Sequence, residues 1–276
     1  MRRKNQGFVR YFKPYGLPHV QAVYGTDVKN EYNRHAHSGF CIGIVRKGAR
    51  VLYSNGASTV IPENDLFVIN PGQAHACKSL YEMHSYFVVS VKLEQMRNIA
   101  SQISEKAREI PHFNKTLVRD KKLSLKISRF FSVIENPSSV LERESVLNSF
   151  LSDLIVHFAD GPPAPRDCGA HGRSIKAACE FMRAHYAEDL SLSQLSRIAC
   201  LSPFYFQRLF LKETGLSPHE YLVHFRLKKA RELLIRGSSI AGAAYDTGFV
   251  DQSHFSRAFK RFVGVTPGEY VYAITE

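Results

Sequence analysis

The sequence predicts a two-domain α+β chain, with an N-terminal β-barrel carrying flanking helices and a C-terminal all-α domain holding two helix-turn-helix motifs. Three observations predict it: short β-type runs joined by hairpin turns over residues 38–91, a proline- and glycine-rich break at 160–173, and a 49-residue repeat beyond that break. The expected segments are therefore 1–159, a linker at 160–173, and 174–276. A length of 276 residues suits two domains.

Composition narrows the class. With 44% hydrophobic and 22% charged residues the chain is globular, which excludes disordered and fibrous classes. No apolar run approaches the roughly 20 residues of a membrane helix. The opening Met1-Arg2-Arg3-Lys4 leads into no apolar stretch of secretory type, so no membrane partner and a cytoplasmic location are expected. Five cysteines, at 41, 77, 168, 179 and 200, form an odd set without a C-x-x-C pair and are read as free thiols. The formal charge of +12 suits a polyanionic partner, yet residues 174–276 carry 13 Lys/Arg against 10 Asp/Glu, leaving +9 for residues 1–173. Charge alone does not mark the C-terminal part as a nucleic-acid binder.

The β elements are read in order as Phe40 to Val45, a turn at Lys47-Gly48, Val51 to Tyr53, the Asn55-Gly56 hairpin signal, Thr59 to Ile61, Leu66 to Ile69, and Tyr86 to Val91. Many short strands with such turns build a small barrel or sandwich. The period then becomes helical, most clearly at Leu147, Phe150, Leu151, Leu154, Ile155 and Phe158. That stripe either packs on the barrel or forms the seam of a homodimer. The break DGPPAPRDCGAHGR cannot build a helix or a core strand.

Beyond it, a shift of 49 residues superposes Phe206-Gln207-Arg208-Leu209-Phe210 on Phe255-Ser256-Arg257-Ala258-Phe259, Gly215 on Gly264, Pro218 on Pro267, and Tyr221 on Tyr270. Each unit carries matching start and stop chemistry. Ser191 with Gln194 suggests a capping box, and Ser202-Pro203 restarts a helix after a tight turn. Gly215 is the expected left-handed cap, and Ser217-Pro218-His219-Glu220 opens the next helix. In the second unit Ser239 to Tyr245, Gly248, Asp251 and Thr266-Pro267-Gly268-Glu269 repeat the plan. Both units are helix-turn-helix candidates.

On the second helix of each unit, Phe206, Leu209 and Phe210, and Phe255, Ala258, Phe259 and Phe262, form the core stripe. The opposite stripe is expected to present Phe204, Gln207, Arg208 and Leu211 in one unit. In the other it presents Gln252, Ser253, Ser256, Arg257 and Lys260, with His254 near the helix start. Arg and Gln carry donor patterns that pair with guanine and adenine edges in the major groove, so double-stranded DNA is the expected partner. The connecting helix, Pro218 to about Arg236, spans about 28 Å, short of the about 34 Å between successive major grooves, which predicts DNA bending.

Residues 174–276 resemble the AraC/XylS family of transcription regulators. The resemblance is carried by Ala244, Gly248-Phe249, Gln252-Ser253, Phe255-Ser256-Arg257, Phe259-Lys260, Gly264, Thr266-Pro267 and Tyr270. It implies DNA contacts from Phe204, Gln207 and Arg208 in the first recognition helix and from Gln252, Ser253, His254, Ser256 and Arg257 in the second. Arg257 serves either a base or a phosphate. It also implies activation of transcription, RNA polymerase as a partner, and a cupin-like N-terminal barrel that binds a small-molecule effector.

His35-Ala36-His37 and Gly72-Gln73-Ala74-His75 resemble the two halves of a cupin motif. Cys41 and Ile42 stand where metal-binding cupins carry Glu. The candidate effector residues are His35, His37, Cys41 and His75, with Tyr53 and Phe67 as further barrel-lining residues. Three imidazoles with a Cys41 thiolate could hold a divalent ion, they could hydrogen-bond an effector, or they could be purely structural. No metal or other cofactor is expected, and the lack of Glu argues against an iron-oxygenase site. The +9 balance suits an anionic effector, and a solvated basic surface that includes Arg2, Arg3 and Lys4 explains it equally well.

The expected activity is regulatory, not enzymatic, since no Ser/His/Asp set, phosphate-cradling glycine loop or paired-carboxylate spacing stands out. A metal-dependent cupin enzyme with a regulatory C-terminal part is the alternative, and a thiol sensor using Cys41 and Cys77 a third reading.

Overall fold

A computed structural model describes residues 7–29, 32–80, 83–103, 110–161 and 172–275. Arg2, Arg3 and Lys4, and the expected linker from 162 to 171 with Cys168, lie outside the described residues. The chain divides into two compact units, one of residues 1–131 with 149–166 and one of residues 132–148 with 167–276. The segment Ser132–Asn148, read above with the first domain, thus groups with the helical unit.

Among the described residues of the first unit, ten strands form two antiparallel sheets. One sheet runs β1 (Phe8–Phe12), β2 (Val20–Val28), β9 (His84–Val91), β4 (Phe40–Lys47), β7 (Leu66–Ile69) and β10 (Leu117–Val118). The other runs β3 (Tyr32–His35), β8 (His75–Ser79), β5 (Arg50–Ser54) and β6 (Ala57–Ile61). The β5–β6 hairpin turns at Asn55 (φ 52°) and Gly56 (φ 75°), the two positive values that a tight hairpin demands and that Asn-Gly supplies.

Val28, Cys41, Val45, Leu52, Ile61, Phe67, Ile69, Tyr86 and Val88, drawn from both sheets, share one core. Phe40 to Val45 are six consecutive buried residues, because the sheet is covered on its other side as well. There α2 (Lys121–Glu135) sets Phe131 edge-on to Tyr24 at 5.2 Å and tilted against Phe87 at 4.7 Å. Helix α1 (Leu93–Ile103) buries Met96, Ile99, Ala100 and Ile103 along one stripe. In α3 (Val140–Phe158) the expected stripe is buried within the single chain, with Phe150, Leu151, Leu154 and Ile155 fully enclosed.

The helical unit follows the repeat. After α4 (Gly172–Ala184) come α5 (Leu192–Ile198) and α6 (Pro203–Thr214), the long α7 (Pro218–Ile235), α8 (Ile240–Asp246), α9 (Gln252–Val263) and α10 (Pro267–Thr275). Ser202, Ser217, Ser239 and Asp251 cap α6, α7, α8 and α9 through their side-chain oxygens. Gly215 (φ 73°) and Gly264 (φ 95°) end the two recognition helices in the left-handed conformation. Ser217 with Glu220 and Thr266 with Glu269 close both bonds of a capping box. At Ser191 the structure holds the bond from the Gln194 N–H to Oγ.

Two cores result, one around Phe206, Leu209 and Phe210 and one around Phe255, Ala258 and Phe259. Helix α7 gives Leu222 to the first core and Val223, Leu227, Ala230 and Leu234 to the second, fastening the two heads together. Its 18 residues span about 27 Å. Arg226 reinforces the joint: buried at 2% exposure, it donates from Nε to the Tyr186 carbonyl at 2.6 Å and from Nη2 to the Glu188 carbonyl at 2.7 Å. At Gly248 the backbone has φ 78°, and a Cβ would lie 2.4 Å from the Ala187 carbonyl oxygen, so this turn accepts glycine alone.

Candidate functional site

The two recognition helices, α6 and α9, are built by the same caps and rest on equivalent aromatic pairs. Their outward faces are not equivalent. On α9, Gln252, Ser253, Arg257 and Lys260 are exposed and Ser256 is half-buried, which leaves a polar ridge free to meet a ligand. On α6, Arg208 and Leu211 are exposed, and the Arg208 guanidinium stands 5.3 Å from the centre of the Phe204 ring.

Three of the expected contact residues are not free on an outward face. Phe204 is 5% exposed, because a phenyl ring in the first turn gains more from packing than from water. His254 is 7% exposed and sits edge-on to Phe249 at 5.4 Å. Burial, reinforced by Arg257, pushes its pKa down to about 4, so its ring is neutral near pH 7. Gln207 is half-buried with both ends of its amide engaged: Oε1 accepts from Asn148 Nδ2 at 2.6 Å, and Nε2 donates to the Ser145 carbonyl at 3.0 Å.

These partners come from Ser132–Asn148, which sequence reasoning did not connect with the recognition helices. Along the same segment, Leu141 enters the first helical core and the Glu144 carboxylate accepts the Leu192 N–H at 2.7 Å, at the start of α5. Glu142 faces His219 Nε2 at 3.4 Å and His254 Nε2 at 3.9 Å. Arg257 Nη2 reaches the Pro137 carbonyl at 3.4 Å, a long contact. Polar residues on an amphipathic helix carry no local sign of such long-range pairing.

In the β unit, His35, His37 and His75 come together. Their ring centres lie 4.4 to 5.1 Å apart, and one ring nitrogen from each falls within 4.8 Å of the others. His35 and His75 are register partners across β3 and β8. Nδ1 of His35 lies 2.6 Å from the Asn33 carbonyl, and Nδ1 of His75 lies 3.0 Å from the Gln73 carbonyl. A carbonyl only accepts, so each Nδ1 carries a proton and each ring turns its Nε2 to the cluster. Nε2 of His37 stands 3.2 Å from Nε2 of His35. Burial lowers the pKa of His37 and of His75, and the neighbouring imidazoles add to the effect, which favours the neutral rings.

The Nε2 spacing of His35 and His37 is close to the about 3.3 Å that two imidazoles span on a tetrahedral zinc ion. The donor set therefore fits a divalent transition ion, and it fits equally a hydroxyl-bearing ligand.

Cys41 does not join them, a correction to its place in the expected set. It lies on β4 in the other sheet, paired with Ile69 and Ser90, and is buried in the core, where burial pushes its thiol up to about 12. Such a thiol is neither a ligand thiolate nor a sensor near neutral pH. Phe67 is a core residue at 1% exposure, whereas Tyr53 lines an open surface groove with Arg34, Ser54 and Ala57.

Comparison with known proteins gives two family matches along the chain. Residues 18–151 match the family described as AraC-like ligand binding domain, and residues 195–272 match a helix-turn-helix domain family. The chain is similar to the HTH-type transcriptional regulator YbfI of Bacillus subtilis, 29% identical over 242 residues covering 86% of each chain. It is similar also to the regulatory protein PocR of Salmonella typhimurium, 36% identical over 107 residues, 38% of this chain and 35% of that protein. A solved structure of an AraC-type transcriptional regulator from Chromobacterium violaceum aligns at 27% identity over 38% of this chain and 95% of that one, with a TM-score of 0.36. No described helix is long and apolar enough to cross a membrane. A ligand-binding family match followed by a helix-turn-helix match, on a chain whose repeat builds two such heads, identifies it as a member of the AraC family of transcription regulators, with a DNA-binding part and a small-molecule-binding part.

Proposed function

We propose that this regulator is an effector-controlled activator of transcription. It reads DNA through Arg208 and Gln207 of α6 and through Gln252, Ser253, Ser256 and Arg257 of α9, while Phe204 and His254 support those helices from within. Its small-molecule effector meets His35, His37 and His75. The exposed polar ridge of α9, repeated in part by Arg208 on α6, is the observation that carries this reading. Residues 1–159 serve effector binding and 174–276 serve DNA.

The Ser132–Asn148 segment is the control element. It holds Gln207 by both ends of its amide, so DNA must displace it before Gln207 can read a base. Helix α3 runs from this segment into the residues of the β unit, which offers a covalent route for an effector-linked change. Activation proceeds by recruiting RNA polymerase in the cytoplasm. Two heads on one chain need no partner copy to engage DNA, and a homodimer would double the site read.

The test is selection from random duplexes by the full chain at moderate salt, repeated with Arg208→Ala and Arg257→Ala. Enrichment of one motif by the wild type, relaxed by each variant, is expected. A pool that stays random sinks the reading.

A further inference from the structure

The interior of the β unit holds a charged group that the regulatory reading leaves unused. Arg50, at the start of β5, is 6% exposed. Its guanidinium carbon lies 4.3 Å from the centre of the Tyr86 ring, 5.4 Å from that of Phe67 and 5.5 Å from that of Tyr32. Nη2 donates to Cys77 Sγ at 2.6 Å. Nε and Nη1 are buried without a hydrogen-bond partner among the described residues. Among the described residues, the groups that interact with the guanidinium include Cys77, Tyr86, Cys41 and His84, and no carboxylate is among those found.

Two neighbours have the same polarity. Ser79 stands opposite Arg50 in the β5–β8 register, on the same face of the sheet, and its Oγ is likewise buried and unpartnered. His84 stacks on Tyr86 at 5.2 Å, and burial together with Arg50 pushes its pKa down to about 4, so it adds no second positive charge.

A desolvated cation costs far more than ring faces and one weak sulfur acceptor return. Buried donors left unpaired are rare in folded proteins, and two on one guanidinium beside an unpaired hydroxyl point to an acceptor that binds there. The occupant must accept hydrogen bonds and carry negative charge. A carboxylate meets both needs, and it can take two parallel hydrogen bonds from one guanidinium.

We propose that Arg50 and Ser79 form an anion-binding site within the β unit, and that the effector of this regulator presents a carboxylate to it. The second half of that statement rests on the β unit being the effector-binding part. A free inorganic anion shares the chemistry, so the experiment separates the two sources.

Thermal unfolding of the full chain is followed at constant ionic strength with acetate, benzoate, phosphate or chloride. The Nε–H resonance of Arg50 is observed in parallel by NMR, and Arg50→Met is the comparison, since an apolar side chain of similar length often replaces a buried charge without loss of the fold. The expected result is a saturable rise of about 3 to 6 °C at about tenfold above Kd for the carboxylates. The Arg50 resonance shifts with the same midpoint, and Arg50→Met gives no rise.

A response confined to phosphate or chloride overturns the carboxylate assignment. An equal response in Arg50→Met, or an Arg50 resonance unmoved by every anion, overturns the site; the resonance decides alone if Arg50→Met does not fold. DNA affinity measured alongside keeps the two readings apart. Anion binding that leaves DNA affinity unaltered supports the site and counts against effector control, whereas absence of anion binding sinks the site and leaves DNA reading by α6 and α9 untouched.

Discussion

Replacing Asn148 by alanine removes the donor that holds Gln207 Oε1 at 2.6 Å and leaves the bond from Gln207 Nε2 to the Ser145 carbonyl in place. In the wild type, DNA reading by Gln207 requires both bonds to open. A neutral hydrogen bond contributes about 0.5 to 1.5 kcal/mol net, so this latch opposes DNA by about 1 to 3 kcal/mol, and Asn148→Ala relieves about 1 kcal/mol of it. The full-length variant should therefore bind a selected duplex about fivefold more tightly than wild type. Fluorescence anisotropy at one fixed salt concentration measures this, because phosphate contacts make affinity steeply salt-dependent. Asn148 is itself buried, so a thermal melt must show that the variant stays folded. Equal or weaker binding by a folded variant would refute the claim that the segment and DNA compete for Gln207.

Further predictions concern single residues. Arg208→Ala should cost about 1 to 3 kcal/mol on the selected site and relax preference at one base position; a uniform loss on all duplexes reassigns Arg208 to a phosphate. Arg226→Ala removes both donors from the joint between the heads, leaving the Glu188 carbonyl with the Leu190 N–H alone, and should destabilise the helical unit by about 2 to 4 kcal/mol, read by denaturant unfolding. Loss below 1 kcal/mol would show the joint to be dispensable. Because the pKa of His254 falls from 6.5 to about 4 on folding, the unfolded chain binds the extra proton between those values. Its contribution is fully present above about pH 6.5 and is lost as pH falls toward 4, by about 3 kcal/mol. His254→Gln should flatten that slope, and an unchanged pH profile would contradict the assignment.

The helical unit was legible because its signals are local. Ser202-Pro203, Gly215, Ser217 with Glu220, and their counterparts 49 residues on encode caps and turns in a few adjacent side chains. The central strands were legible for a similar reason, being continuous apolar runs between Gly-bearing turns. Strand β1 was not, since Phe8–Phe12 is half-exposed and shows no alternation, nor was β8, where histidine, cysteine and lysine interrupt the pattern.

At the candidate sites, the two histidine motifs located the cluster correctly in space. Cys41 stands at the position where metal-binding cupins carry Glu, but here that position lies in the other sheet, and periodicity does not say which of two sheets a strand joins. The helical wheel likewise places Phe204 outward, and the family resemblance adds His254, as neither counts the neighbours that bury them. Nothing local could connect Gln207 with Asn148, 59 residues away.

The central claim is that one chain carries two heads that read DNA side by side. Base-resolved footprinting of the full chain on its selected duplex tests it most directly. Two short protected blocks in successive major grooves, about 10 base pairs apart, are predicted, with Arg208→Ala weakening one block and Arg257→Ala the other. A single block, or two blocks weakened equally by either substitution, would contradict it.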